Sequence, residues 1–245
     1  TLFRSGTVAA IPAKFCSKCG KGIVTPGQNT FTKDFNSFLL SCFGIIGYIL
    51  ALYLLKIEGN GVNNLIVDFS FLAIVIAILY FGKNNIRGIL SFENFKLSRL
   101  FKYIFLQLLI TGTVIAFSLY LDTFLKAESS NELDSFSDFF SPITFAIISV
   151  GVFPAITEEI AFRGILFNSL LKLTTPVSTI FVTGIIFGFV HFSFISILWL
   201  IPAGLFFVWI RYKEGIIWYG VACHFLNNFI VVMIDYFKYH PGLHH

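Results

Sequence analysis

Charge is scarce in this sequence. Asp, Glu, Lys and Arg make up 12% of the 245 residues, against roughly a quarter in soluble globular domains, which excludes an ordinary water-soluble globule. Other absences narrow the choice further. No stretch alternates apolar and polar residues as membrane β-barrel strands do. No internal repeat of interrupted helices, the mark of many transporters, is visible. The basic residues flank apolar runs instead of forming one patch, so nucleic acid is not an expected partner. There is no HExxH zinc-protease motif and no secretory signal pattern. Residues 1–13 lack hydrophobic periodicity and are set aside from the fold, and the first apolar stretch reads as an uncleaved span.

What fills the sequence is apolar: 56% hydrophobic residues, among them 32 phenylalanines. A spanning helix needs about 20 mostly apolar residues, and seven stretches serve: 37–55, 65–81, 101–121, 143–167, 176–192, 196–210 and 215–237. Backbone polar groups in lipid must be satisfied within the segment, so helices are the default. The expected fold is an all-α polytopic transmembrane bundle of about seven spans. Residues 1–33 form an N-terminal segment, 34–141 accessory helices and loops, and 142–240 a core built on the last four spans. The fifth and sixth spans are short; Ser193 and Ser196 mark the break of a hairpin partly buried in protein.

Basic residues set the orientation. Lys14, Lys18, Lys21 and Lys33 precede the first span, and Lys83, Arg87, Lys96, Arg99 and Lys102 crowd the second connection. Lys172 follows the fourth span, and Arg211 and Lys213 follow the sixth, whereas the opposite loops carry only Lys56, Lys126 and Lys238. The N-terminus is therefore expected in the cytoplasm. The acidic stretch 122–141 is expected outside, simply solvated. Residues 86–100 place Ile86, Ile89, Leu90, Phe92, Phe95 and Leu97 among basic residues; they read equally as a short helix on the membrane surface or as an ordinary loop. Cys16 and Cys19 resemble one knuckle of a zinc ribbon, but supply only half of the four ligands that a closed site needs, so bound metal is not expected there. Cys42 and Cys223 fall within spans and cannot complete it, and the cytoplasmic side argues against a disulfide.

A charge at mid-bilayer costs at least about 2.5–3.5 kcal/mol, so each needs a reason. Asp68 and Gln107 read as single polar residues near helix ends or at helix contacts. The last four spans hold more: Glu158, Glu159 and Arg163 in TEEIAFRG, His191 in FGFVHF, and His224 with Asn228 in CHFLNN. Glu159 and Arg163 stand i,i+4 in the favourable order and read as a structural ion pair. Glu158, turned by about 100°, faces another neighbour. His224 and Asn228 share a helix face, and Phe187, one turn before His191, packs beneath its ring. From Glu158 to a turn near 173–175 is about 22 Å, and from that turn back to His191 about 24 Å, at 1.5 Å per residue. A hairpin thus brings both to one depth. A lone buried histidine is more often a packing residue; two histidines, an asparagine and an unpaired glutamate at matching depths point to a site.

EEIAFR, FGFVH and HFLNN, in this order, resemble the three signatures of the CPBP family, which groups type II CAAX prenyl proteases with bacterial Abi and bacteriocin-processing proteins. The resemblance covers roughly 143–237 and implies an intramembrane endopeptidase, multi-pass in a bacterial plasma membrane, acting on a membrane-associated peptide or protein. It implies Glu158 as general base, His191 as holder of the attacking water, and His224 and Asn228 as oxyanion donors, with Glu159, Arg163 and Phe187 in support. No cofactor is expected on this view; the alternative is zinc on Glu158, His191 and His224, since family members are often labelled metalloproteases. A second alternative is a non-catalytic immunity or scaffold protein that binds a peptide in the same cavity.

The orientation is open to direct measurement. On a cysteine-free background, a membrane-impermeant thiol reagent applied from outside should label cysteines introduced within 122–141 and miss those within 83–99; the reverse pattern would overturn the charge argument.

Overall fold

The computed structural model describes residues 28–55, 60–81, 87–125, 132–193 and 196–239; the Cys16 and Cys19 knuckle lies outside them. The described chain is all helical: α1 (Gln28–Leu55), α2 (Gly61–Phe81), α3 (Leu97–Leu125), α4 (Pro142–Leu171), α5 (Pro176–Phe189), α6 (Ile197–Glu214) and α7 (Trp218–Tyr239). Among the described residues, α1 to α4 and α7 contain the five helices long and apolar enough to cross a bilayer. Their outer faces carry large apolar side chains in the open, such as Phe43 at 75% and Phe105 at 61% exposure. Patches of that kind on a helix bundle mark contact with lipid.

The sequence predicts seven spans, and the two that differ are the short ones. α5 has 14 residues, about 21 Å of helix against a hydrocarbon core of about 30 Å. α6 closes on Arg211, Lys213 and Glu214, which dilutes its apolar run. Together they make the expected hairpin. Its start is fixed locally: Thr175 caps α5, its hydroxyl oxygen accepting the Ser178 N–H at 3.2 Å, with Pro176 at the first helical position. Its break falls where the serines stand, the Ser193 hydroxyl donating to Ser196 Oγ at 2.7 Å. α6 ends on Gly215 at φ 76°, a left-handed cap that a side chain would strain.

Glycine lets α5 and α6 touch backbone to backbone. A Cβ on Gly184 would lie 2.9 Å from the Leu205 nitrogen, one on Gly188 3.0 Å from the Ile201 nitrogen, and one on Gly204 2.7 Å from the Gly184 carbonyl oxygen. Helix pairs in lipid gain their attraction from such close approach rather than from excluding water.

α4 is not a plain α-helix. Its turns widen to π geometry over Ile147–Val152 and again over Glu159–Leu166. The widened turns bury almost every side chain from Glu159 to Leu166 against α1, α2 and the hairpin.

Of the two readings of 86–100, the loop holds: over 87–96 the chain is a short 3-10 turn, Arg87–Leu90, followed by an irregular strap to α3. Its hydrogen bonds go to the start of α7, where the Ile217 N–H meets Ile89 O at 3.1 Å and Trp218 Nε1 donates to Leu90 O at 2.9 Å. Phe92 stacks on Trp218 and Phe95 on Tyr219. The aromatics had a protein partner, so they did not need the membrane surface. The reading of the acidic stretch is corrected: it is not merely solvated. Its first residues extend α3, and Glu132–Phe136 forms a 3-10 turn whose Leu133 and Phe136 are buried against Ala146 and Val232.

The glycine contacts make a test of the hairpin. Gly204→Ala should lower the thermal unfolding temperature in detergent, because overpacking costs about 1–3 kcal/mol. Gly112→Ala, at a position where a Cβ meets nothing within 4 Å, should not lower it.

Candidate active site

The site assembles where the middle of α4 meets α5, α6 and α7. At its base is the pair that the spacing predicts: Arg163 Nη1 lies 3.1 Å from Glu159 Oε1, both side chains fully buried. The charges pair by proximity rather than by aligned hydrogen bonds, since neither Glu159 oxygen has a hydrogen-bond partner. Aromatic faces supply the rest of the cation's surroundings. The guanidinium stands 4.1 Å from the Phe187 ring centre and 5.3 Å from that of Phe207, and its Nη2 reaches the Gly204 carbonyl at 3.4 Å. Gly220 stands opposite, where a Cβ would lie 2.6 Å from Glu159 Oε2 and the carboxylate would have to shift.

His224 from α7 sits between the two glutamates. Its Nδ1 is 3.4 Å from Glu159 Oε1 and its Nε2 is 3.9 Å from Glu158 Oε2. Its ring stacks on Phe207 at 5.4 Å and meets the edge of Phe187 at 5.9 Å. Glu158, the last α-helical residue before the π turn, keeps 22% of its side chain exposed, whereas Glu159 is enclosed. Neighbouring carboxylates therefore face different surroundings, as their rotation requires, although the helix widens there.

His191 lies just beyond the end of α5. Its Nδ1 is 2.8 Å from the Phe187 carbonyl oxygen. A carbonyl only accepts, so Nδ1 carries the hydrogen and, in the neutral ring, Nε2 is left as an acceptor. The ring meets Phe187 at 5.0 Å, the packing expected from their spacing. Phe187 thus touches both histidines and the Arg163 guanidinium. Phe192 follows at φ 49°, a left-handed conformation uncommon for a bulky residue, and its ring stacks on Tyr53 of α1 at 4.4 Å.

Asn228 is held by α4. Its Nδ2 donates to Val150 O at 2.9 Å. That carbonyl lies within the first widened turn, Ile147–Val152. One Asn228 amide hydrogen is thus spent on the α4 backbone; the other remains.

Asp68 and Gln107, which the sequence places near helix ends or at helix contacts, both have partners on other helices. Asp68 of α2 accepts a hydrogen bond from Ser149 of α4. Gln107 of α3 does make the helix contact expected of it, reaching Asn227. Asp68 had a visible signal, a carboxylate inside an apolar run, but nothing in the sequence pairs it with α4.

A zinc site would need Glu158, His191 and His224 aimed at one centre. Among the described residues, no three His, Cys, Asp or Glu side chains form a group that could hold a metal ion.

These features define a helical membrane protein with an enclosed acid–histidine site. Residues 140–230 match the family model described as type II CAAX prenyl endopeptidase Rce1-like, and this segment is a domain of that family. It contains Glu158, Glu159, Arg163, Phe187, His191, His224 and Asn228. No curated protein and no solved structure matches the chain.

Charge burial separates the two glutamates experimentally. Arg163→Ala strands Glu159 in an enclosed site and should destabilise the protein by about 3–5 kcal/mol. Glu158→Gln should leave the unfolding temperature close to that of the parent. Equal loss of folded protein in both would make Glu158 structural too.

Proposed function

We propose that the protein is an intramembrane endopeptidase that hydrolyses a peptide bond of a membrane-associated protein or peptide with water activated by Glu158. Its N-terminus faces the cytoplasm. The observation that carries the reading is the state of Glu158: Oε2 is buried without a hydrogen-bond partner and stands 3.9 Å from His224 Nε2. That span exceeds a direct hydrogen bond, so the carboxylate is not tied to the ring. Glu159 also lacks hydrogen bonds but is charge-paired to Arg163 at 3.1 Å, whereas no Lys or Arg among the described residues pairs with Glu158, which keeps 22% of its side chain exposed.

In this mechanism Glu158 takes a proton from water while His191 Nε2 accepts the second hydrogen and orients the nucleophile. The hydroxide attacks the scissile carbonyl carbon. His224 and the remaining Nδ2 hydrogen of Asn228 donate to the oxyanion. As the C–N bond breaks, the proton held by Glu158 passes to the leaving amine, giving one carboxylic acid and one amine. General acid–base help of this kind is worth about 10²–10⁴-fold, and each oxyanion donor about 2.7–4 kcal/mol. Arg163 and Glu159 hold His224 in place without touching the reacting atoms. No step requires a Lewis acid.

The substrate is to be found by comparing membrane-peptide profiles of cells that carry the parent or Glu158→Gln. The purified protein should cleave the peptides so identified, and Glu158→Gln should abolish cleavage while still binding them. Cleavage by the Cys16→Ser, Cys19→Ser double variant should survive exhaustive chelation. Loss of activity to the chelator with recovery on adding zinc would overturn the glutamate mechanism.

A further inference from the structure

The proposed oxyanion donor is wired to a helix outside the 140–230 family match. Asn227 Nδ2 lies 3.3 Å from Asn228 Oδ1, Thr111 Oγ1 lies 3.0 Å from Asn227 Oδ1, and Gln107 Nε2 reaches Asn227 Oδ1 at 3.2 Å and Thr111 Oγ1 at 3.0 Å. Gln107 and Thr111 are one turn apart on α3 and both buried.

The direction of every bond in this chain follows from one atom. Val150 O can only accept, so Asn228 must turn its amide nitrogen toward it. The Asn228 oxygen then points away and needs a donor, which fixes Asn227 with its nitrogen toward Asn228 and its oxygen toward α3. That oxygen in turn needs donors, and α3 supplies two: the Thr111 hydroxyl and the Gln107 amide. Thr111 spends its one hydrogen on Asn227 and accepts from Gln107. No link can be reversed without setting two acceptors or two donors against each other, which in a buried place costs about 1–3 kcal/mol per unsatisfied group.

We infer that Asn227, held by Thr111 and Gln107 of α3, is a positioning residue that locks the Asn228 amide with its free N–H toward the scissile carbonyl. The assignment rests on the catalytic reading of Asn228 given above. It gives the accessory helix α3 a part in the reaction: it sets the orientation of a group on α7 through Asn227. Asn227 acts through Asn228 and meets no reacting atom.

The test uses the full-length protein in nanodiscs with two readouts. The first is the side-chain amide spectrum of selectively ¹⁵N-labelled asparagine, with Asn228 assigned by its loss in Asn228→Ala. In the parent, one Nδ2 hydrogen of Asn228 should exchange slowly and the other quickly. Thr111→Val, which keeps shape but removes the hydroxyl, and Asn227→Asp, which keeps the acceptor but removes the donor, should both erase that difference. Thr111→Ser should restore it. The second readout is steady-state cleavage of the peptides found with Glu158→Gln. Thr111→Val and Asn227→Asp should lower kcat about tenfold or more, as misplacing a catalytic group does, with KM changed less than about twofold, and Thr111→Ser should recover turnover. An Asn228 amide that keeps its unequal hydrogens in both variants overturns the inference, as does equal turnover in Thr111→Val and Thr111→Ser. Absence of cleavage by the parent would sink the protease reading alone, because the amide spectrum still decides the wiring.

Discussion

The buried ion pair between Glu159 and Arg163 is the constraint around which the core is arranged. Desolvating two charges costs several kcal/mol per ion even after relaxation, so such a pair adds little net stability by itself. Its partners show how the cost is contained. The cation is enclosed by aromatic faces from α5 and α6 and a carbonyl from α6. The anion is shared between Arg163 and the His224 ring of α7. Four helices must be in register for the pair to be tolerated, and the same register presents Glu158 and His224 to each other. The pair therefore acts as a specification of geometry more than as a source of stability.

The glycines of the core follow from that requirement. Gly204 can offer its carbonyl to Arg163 only because α6 runs against α5 at backbone distance. Gly220 leaves room for the carboxylate where any side chain would displace it. Widening α4 to π geometry serves the same end. Single π turns recur at functional sites, where they re-aim a few side chains without ending the helix. Here the second widening begins at Glu159, between the two carboxylates, and runs past Arg163 to Leu166.

Much of this was legible in the sequence, for a definable reason. A membrane admits few polar residues, so TEEIAFRG, FGFVHF and CHFLNN stood out against an apolar background, and helical spacing was enough to pair Glu159 with Arg163 and Phe187 with His191. The hairpin break was written in Ser193 and Ser196. What escaped is what spacing along one helix cannot encode. Partners from distant helices escaped, such as Asp68 with Ser149 and Gln107 with Asn227. So did departures from ideal geometry, because the widened turns of α4 have no strong local signal. The strap before α3 was left between two readings because its aromatics look the same whether they meet lipid or the rings of α7.

The length of α5 decides where His191 stands along the hairpin. If α5 crossed the whole bilayer, His191 at its far end would stand at the opposite surface from the turn, while Glu158 sits midway along α4. With 14 residues, α5 is too short for that. The helix stops at Phe189, and the chain then reverses through Phe192 in a left-handed conformation. Such a conformation costs about 1–3 kcal/mol for a bulky residue, and the stacking of Phe192 on Tyr53 of α1 offsets part of it. The early stop leaves His191 on a turn instead of a regular helix, with Nδ1 tied to the Phe187 carbonyl. A histidine continuing the helix would find that carbonyl taken by its own backbone N–H. The strained turn thus orients the His191 ring, and α1, which lies outside the family-matched segment, helps to hold Phe192 beside it.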